Sequence, residues 1–335
     1  MRAKFVMKPA ARLGAAAAAG LVLRCATLQA ALLAYEPFEF GDVAEPSAGQ
    51  YALGDENAGT NTLGGQNPTI GPTAFYGGPW EEQSGQPQAV KALPSLSYPN
   101  FPAGIGGVQQ ETVQFDCCSF GRTARPIAGG LGAGRDSRTI FESFLIDFGS
   151  QGTDSPGDFG KRGHELWNGF DPNDPDSTLA VDLFLNSFSG NNELALSVTT
   201  ISESTTVPLR GGGLNLQHLA NTFGGTHLVV MKYEFNPTDP DVVSVYLDPL
   251  DVNQPGTPDA EISIAASDLF ITHHGAFTNF TFSGSGHIPG AIDEIRWGEA
   301  YDDVVTITGT IPEPGALALI GIGAVLCAAV RRRGA

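Results

Sequence analysis

The sequence predicts an all-β fold, a sandwich or barrel, on three observations. Glycine (43) and proline (23) are frequent in the 335 residues, and no stretch carries a sustained helical repeat capped at both ends. Apolar, β-branched runs of about seven to ten residues alternate with clusters of Gly, Pro, Asn and Asp, as strands alternate with turns. Ile292 to Trp297 repeats with period two, the signature of a half-buried strand.

The chain opens on Arg2, Lys4, Lys8 and Arg12, then an alanine-rich apolar run from Leu13 to Leu23 and small residues at Ala30, Ala31 and Ala34. That order is a secretory signal peptide over residues 1–34. Cys25 invites a lipoprotein reading, but Arg24 stands where a small residue is needed. Residues 35–310 form the body. Within it 41–134 is a loop-rich insertion, with short strands around a shared core and aromatics at Tyr51, Phe75, Tyr76 and Trp80.

Thr139 to Phe148 is apolar enough for a buried strand. Leu179 to Leu185 and Glu193 to Thr200 flank the turn Ser189-Gly190-Asn191-Asn192 and read as a hairpin. Leu214 to Leu219 is the one helical candidate. Thr226 to Phe235 and Val242 to Pro249 form a second hairpin around Asn236 to Pro240, closed by the proline. His273-His274, after Leu269-Phe270-Ile271, reads as a polar loop with no metal partner at fixed spacing. In the strand Ile292 to Trp297, alternation sets Ile292, Glu294 and Arg296 on one face and Asp293, Ile295 and Trp297 on the other.

Residues 311–335 form a distinct segment. Pro312-Glu313-Pro314 leads into an apolar run from Ala316 to Val330, which stops at Arg331-Arg332-Arg333. At about 15 residues the run is short for a membrane helix, which needs roughly 20, and the arginines favour the cytoplasmic side. The three parts in this order resemble the PEP-CTERM sorting signal. The resemblance implies export, a transmembrane helix before processing, and cleavage near Pro312, Glu313 and Pro314 by an exosortase. Arg331, Arg332 and Arg333 match its basic tail.

Without its two ends the chain keeps ten Lys and Arg against 35 Asp and Glu, a net charge of about −25. Such a surface repels nucleic acid and anionic lipid. The body also keeps only two cysteines, the adjacent Cys117 and Cys118, which make no disulfide framework.

Tyr35-Glu36-Pro37-Phe38-Glu39-Phe40, the pair Gly225 to Val230 with Val245 to Pro249, and Ile292 to Gly298 followed by Tyr301-Asp302-Asp303-Val304 resemble secreted concanavalin A-like (LamG-type) proteins. The resemblance covers the start and the last third of the body. It implies a two-sheet antiparallel jelly roll, a fold that hosts lectins, glycosidases and adhesion modules alike.

For chemistry, the adjacent Asp293-Glu294 would point to opposite faces of a strand, which disfavours paired-carboxylate catalysis. No Gly-x-Ser-x-Gly elbow occurs. The loop with Asp171, Asn173, Asp174 and Asp176 gathers hard oxygen ligands of the kind calcium prefers, without an EF-hand pattern. Trp167 is a candidate sugar platform, with core packing as its alternative. The expectation is an exported, non-catalytic protein of the cell surface or extracellular matrix, binding exopolysaccharide or another glycan. The alternatives are a glycoside hydrolase or lyase, or a matrix protein with no specific ligand.

Overall fold

The computed structural model describes residues 32–39, 50–53, 63–67, 75–82, 89–91, 95–99, 101, 108–110, 119–121, 123–132, 137–147, 160–171, 178–186, 193–200, 204–208, 225–249, 255–266, 268–281 and 291–305. The strands run in chain order as β1 (Leu32–Glu36), β2 (Glu81–Glu82), β3 (Ala89–Lys91), β4 (Val108–Gln110) and β5 (Ser119–Gly121). Then come β6 (Thr123–Leu131), β7 (Arg138–Asp147), β8 (Gly160–Asn168), β9 (Thr178–Asn186), β10 (Glu193–Thr199) and β11 (Ser204–Pro208). The chain continues through β12 (His227–Phe235), β13 (Asp241–Leu247), β14 (Ala260–Ile264), β15 (Ile271–Thr281) and β16 (Ala291–Gly298) to a short helix, α1 (Tyr301–Val305).

They form two eight-stranded antiparallel sheets. The first has the order β14-β13-β12-β7-β16-β4-β3, with β1 on β16; the second has β11-β10-β9-β8-β15-β6-β2, with β5 on β15. The chain changes sheet between β1 and β2, β2 and β3, β4 and β5, β6 and β7, β7 and β8, β11 and β12, β14 and β15, and β15 and β16. These crossings make the sandwich a jelly roll, the fold class the sequence predicts.

Both expected hairpins are present. Leu194 pairs with Leu185 and Val198 with Val181; Val229 pairs with Leu247 and Tyr233 with Val243. The Asp248 side chain closes the second by accepting from the Leu228 amide at 3.0 Å.

Alternation fixes which side chains meet. Ile140, Phe144 and Ile146 of β7 and Val229, Met231, Tyr233 and Phe235 of β12 enter the core between the sheets, and so do Leu166, Val181, Leu183, Leu196 and Val198 of the second sheet. Tyr51, Leu63 and Trp80 from the loop-rich stretch are buried in that same core. The other face of β7 and β12 carries Phe141, Leu145, Leu228 and Val230, which pack with Tyr246, Phe101 and three residues of α1.

Two readings are corrected. His273-His274 lies inside β15, not in a loop, and His274 is fully buried. The strict alternation over Ile292 to Trp297 fails because β16 carries a bulge: its register with β7 shifts between Asp293 and Arg296, and Glu294 has a positive φ of 55°. One extra residue there returns Ile292, Ile295 and Trp297 to the same core. It also removes the premise that Asp293 and Glu294 face apart. β1 begins at Leu32, within the stretch read as signal peptide, and Ala34 is among its buried residues. Residues 214–219 and Cys117-Cys118 lie outside the described residues.

Candidate functional site

Among the described residues, one group of side chains has the chemistry of a metal centre: Glu142, His164 and His274. Glu142 sits mid-strand on β7, flanked across the sheet by Met231 of β12 and Trp297 of β16. His164 comes from β8 and His274 from β15, so the three meet across the sandwich interior with no exposed surface. Their ligand atoms lie within 4.8 Å of one another.

The Glu142 Oε1 atom is 2.8 Å from His164 Nε2 and 3.1 Å from His274 Nε2. These are hydrogen-bond separations, yet neither ring N–H is aimed at the oxygen, and all three atoms remain without a hydrogen bond. The other oxygen, Oε2, accepts from the Tyr233 hydroxyl at 2.7 Å, which fixes the carboxylate plane. Burial alone would push the Glu142 carboxyl up, but His164 and then His274 outweigh it and hold the group below the usual carboxylate range. Burial pushes the His274 imidazole down against the pull of Glu142.

Rings wall the group in. Phe144 lies 4.5 Å from His164, and Trp297, Trp80 and Tyr76 lie 5.5, 5.9 and 6.0 Å from His274 between ring centroids. Gly275 permits the approach of β15 to β8, because a Cβ there would collide with the Glu165 carbonyl oxygen. Beside the group, Arg125 of β6 bonds Glu36 of β1 at 2.8 Å, both buried.

No spacing rule links Glu142 to two histidines 22 and 132 residues later. The available signal was chemical: a glutamate amid the apolar run Thr139 to Phe148 is a buried charge that needs partners.

The predicted site residues lie elsewhere. Trp167 is buried against Phe170 and Ala124, so core packing describes it. It stands on the non-core face of the second sheet, where Glu165 and Asp182, directly paired across β8 and β9, are also buried. Asp171 is exposed and its charge contributes, after burial, to raising Glu81. Asn173, Asp174 and Asp176 lie outside the described residues, as do Pro312, Glu313, Pro314, Arg331, Arg332 and Arg333. No described helix is long and apolar enough to cross a membrane.

At β16, Glu294 Oε2 accepts from Arg296 at 2.7 Å and from the Tyr35 hydroxyl at 2.8 Å. The Asp293 carboxyl accepts from the Leu96 and Glu294 amides at 3.0 and 2.9 Å. Both carboxylates therefore hold structure together.

Residues 310–333 match the PEP-CTERM protein-sorting motif. No curated protein matches the chain. A protein of unknown function from Shewanella oneidensis MR-1 is similar in structure at 13% identity and TM-score 0.40, over 92% of this chain and 100% of that one. The endo-beta-1,4-glucuronan lyase of Trichoderma reesei is similar at 11% and 0.36, over 73% and 96%. A legume lectin-like domain from Entamoeba histolytica is similar at 10% and 0.37, over 66% and 90%. Scores this low assign no activity to this chain. The motif, which is an exosortase recognition signal, marks an exported protein directed to the cell surface. The chain is thus an antiparallel two-sheet jelly roll that bears a C-terminal PEP-CTERM sorting motif.

Proposed function

We propose that this protein is a non-catalytic glycan-binding component of the cell surface or extracellular matrix, delivered there by exosortase processing of its C-terminus. The observation that carries the reading is the sorting motif over residues 310–333, joined to a folded, strongly acidic β body. Before processing, the apolar run Ala316 to Val330 holds the chain in the membrane with Arg331 to Arg333 on the cytoplasmic side. A net charge of about −25 favours neutral polymers over anionic ones as ligands. Calcium held by the loop around Asp171, Asn173, Asp174 and Asp176 would order a binding edge with hard oxygen ligands.

Glycoside cleavage is the second reading, and the pairing of Glu165 with Asp182 favours it. Directly opposed strand residues set their Cβ atoms about 5 Å apart, which brings two carboxyl groups together as glycoside cleavage needs; both are buried, so the face over them would have to open to substrate.

Two measurements test these statements. Replacing Pro312-Glu313-Pro314 by alanines is expected to leave a larger, membrane-bound form; unchanged mass and location would refute the sorting. A glycan array with and without calcium tests binding, and failure to bind any polysaccharide refutes the lectin reading. Release of reducing sugars that disappears in Glu165→Gln would establish the hydrolase instead.

A further inference from the structure

The geometry points to a metal site in the core of the sandwich, in which Glu142, His164 and His274 bind one divalent transition-metal ion, zinc, and tie the two sheets together.

The interior leaves several polar atoms unmet. Glu142 Oε1 and both ring nitrogens of His164 and His274 are five buried polar atoms without a hydrogen bond. Each such atom loses its water partners on burial and gains nothing in return, so it destabilises the fold unless something fills its place. The three that face one another are held at short range with their N–H directions misaligned, as lone pairs converging on a shared point would be. A tetrahedral zinc ion with bonds near 2.0–2.2 Å sets its ligand atoms about 3.3 Å apart. The observed separations of 2.8 and 3.1 Å are slightly tighter, and opening them admits the ion.

Donor chemistry then selects the metal. Two imidazole nitrogens and one carboxylate oxygen suit zinc and its neighbours and disfavour calcium and magnesium, which take oxygen ligands. One coordination position is left for a small ligand such as water. The Tyr233 hydroxyl, donating to Oε2, orients the carboxylate so that Oε1 faces the histidines. The ring wall of Phe144, Trp80, Tyr76 and Trp297 closes the cavity.

Location gives the ion its purpose. Glu142 belongs to the first sheet and the two histidines to the second, so coordination bridges the layers at the centre of the fold. The exported body has no disulfide framework to do this, with Cys117 and Cys118 as its only cysteines. Full burial means that the ion enters as the chain folds, so the metal is structural.

The test uses the exported chain, purified with its own metal. Elemental analysis is expected to find about one zinc per chain, as a stoichiometric structural site requires. Unfolding and refolding with cobalt(II) should give visible ligand-field bands, and refolding with calcium or magnesium should not restore the native melting temperature. His164→Ala and Glu142→Ala should each lower the metal content at least tenfold, whereas His273→Gln, altering the neighbouring half-buried histidine, should leave it unchanged. If these variants fail to fold, the parent chain still decides. Metal-free protein with an unaltered melting temperature, both as isolated and after refolding with zinc or cobalt, overturns the site; metal retained by folded His164→Ala overturns its ligands.

Discussion

The carboxylates buried at β16 differ in what they have been given. Glu294 has Arg296 and Tyr35 as donors, and Tyr35→Phe removes one bond to a charged acceptor. A loss of about 1.5–3 kcal/mol is expected from chemical unfolding; an unchanged midpoint would show that the Arg296 contact alone satisfies the glutamate. Asp293 has two amides as its donors among the described residues, and burial, then the nearby Glu294 charge, pushes its carboxyl up to about 9. The unfolded chain releases this proton near pH 4, while the folded chain keeps it until about pH 9. Folding is therefore favoured most below pH 4, and this contribution is lost as pH rises toward 9. Asp293→Asn loses one acceptor, so it should be less stable than the parent at pH 5 and gain on it by pH 8. Urea midpoints at the two pH values check this, and a constant gap would mean that Asp293 is ionised in the folded protein.

Elements show why the sequence disclosed some strands and hid others. β12 and β13 are nearly unbroken apolar runs around a polar turn, so their pairing could be read directly. β8 and β15 hold Gly160-Lys161-Arg162-Gly163-His164-Glu165 and Thr272-His273-His274-Gly275, compositions that resemble loops. They are strands because the neighbouring strands pair them, and they are polar because they carry His164 and His274 into the core. The residues that build the buried site are those that erased the strand signal. Bulges were equally hidden, since an inserted residue at Asp293-Glu294 leaves no compositional trace. Gly275→Ala tests the β8–β15 contact: its Cβ would strike the Glu165 carbonyl oxygen, so the strands must part. Destabilisation of about 1–3 kcal/mol is expected for such overpacking, read as a lower melting temperature; tolerance would show that the strands have room to move. β1 makes a sharper prediction. A signal cut after Ala34 would remove three of its five residues, including buried Ala34. N-terminal sequencing of the exported protein should therefore begin at Leu32 or earlier, and a start at Tyr35 would refute the strand.

At the scale of the whole molecule the question is where the folded body stops and the sorting device starts. The outward face of the first sheet is apolar at Phe141, Leu145, Leu228, Val230 and Tyr246, and α1 covers it with Tyr301, Val304 and Val305. The turn into α1 is tight: the Asp303 carboxylate accepts from the Glu299 and Ala300 amides at 3.1 and 2.8 Å. Ser143 donates to the Val304 carbonyl at 2.7 Å, tying α1 to β7. Fully burying each large apolar side chain contributes roughly 1.5–3 kcal/mol, so losing α1 removes an amount comparable with the 5–15 kcal/mol that stabilises a typical domain. A chain ended after Thr310 should therefore be exported, soluble and as heat-stable as the processed protein. A chain ended after Ala300 should aggregate or be degraded, because Phe141, Leu145 and Val230 lose their cover. Comparing the melting temperatures and solubility of the two truncations checks this boundary; equal stability would place the last required residue before α1 and make the helix part of the sorting segment.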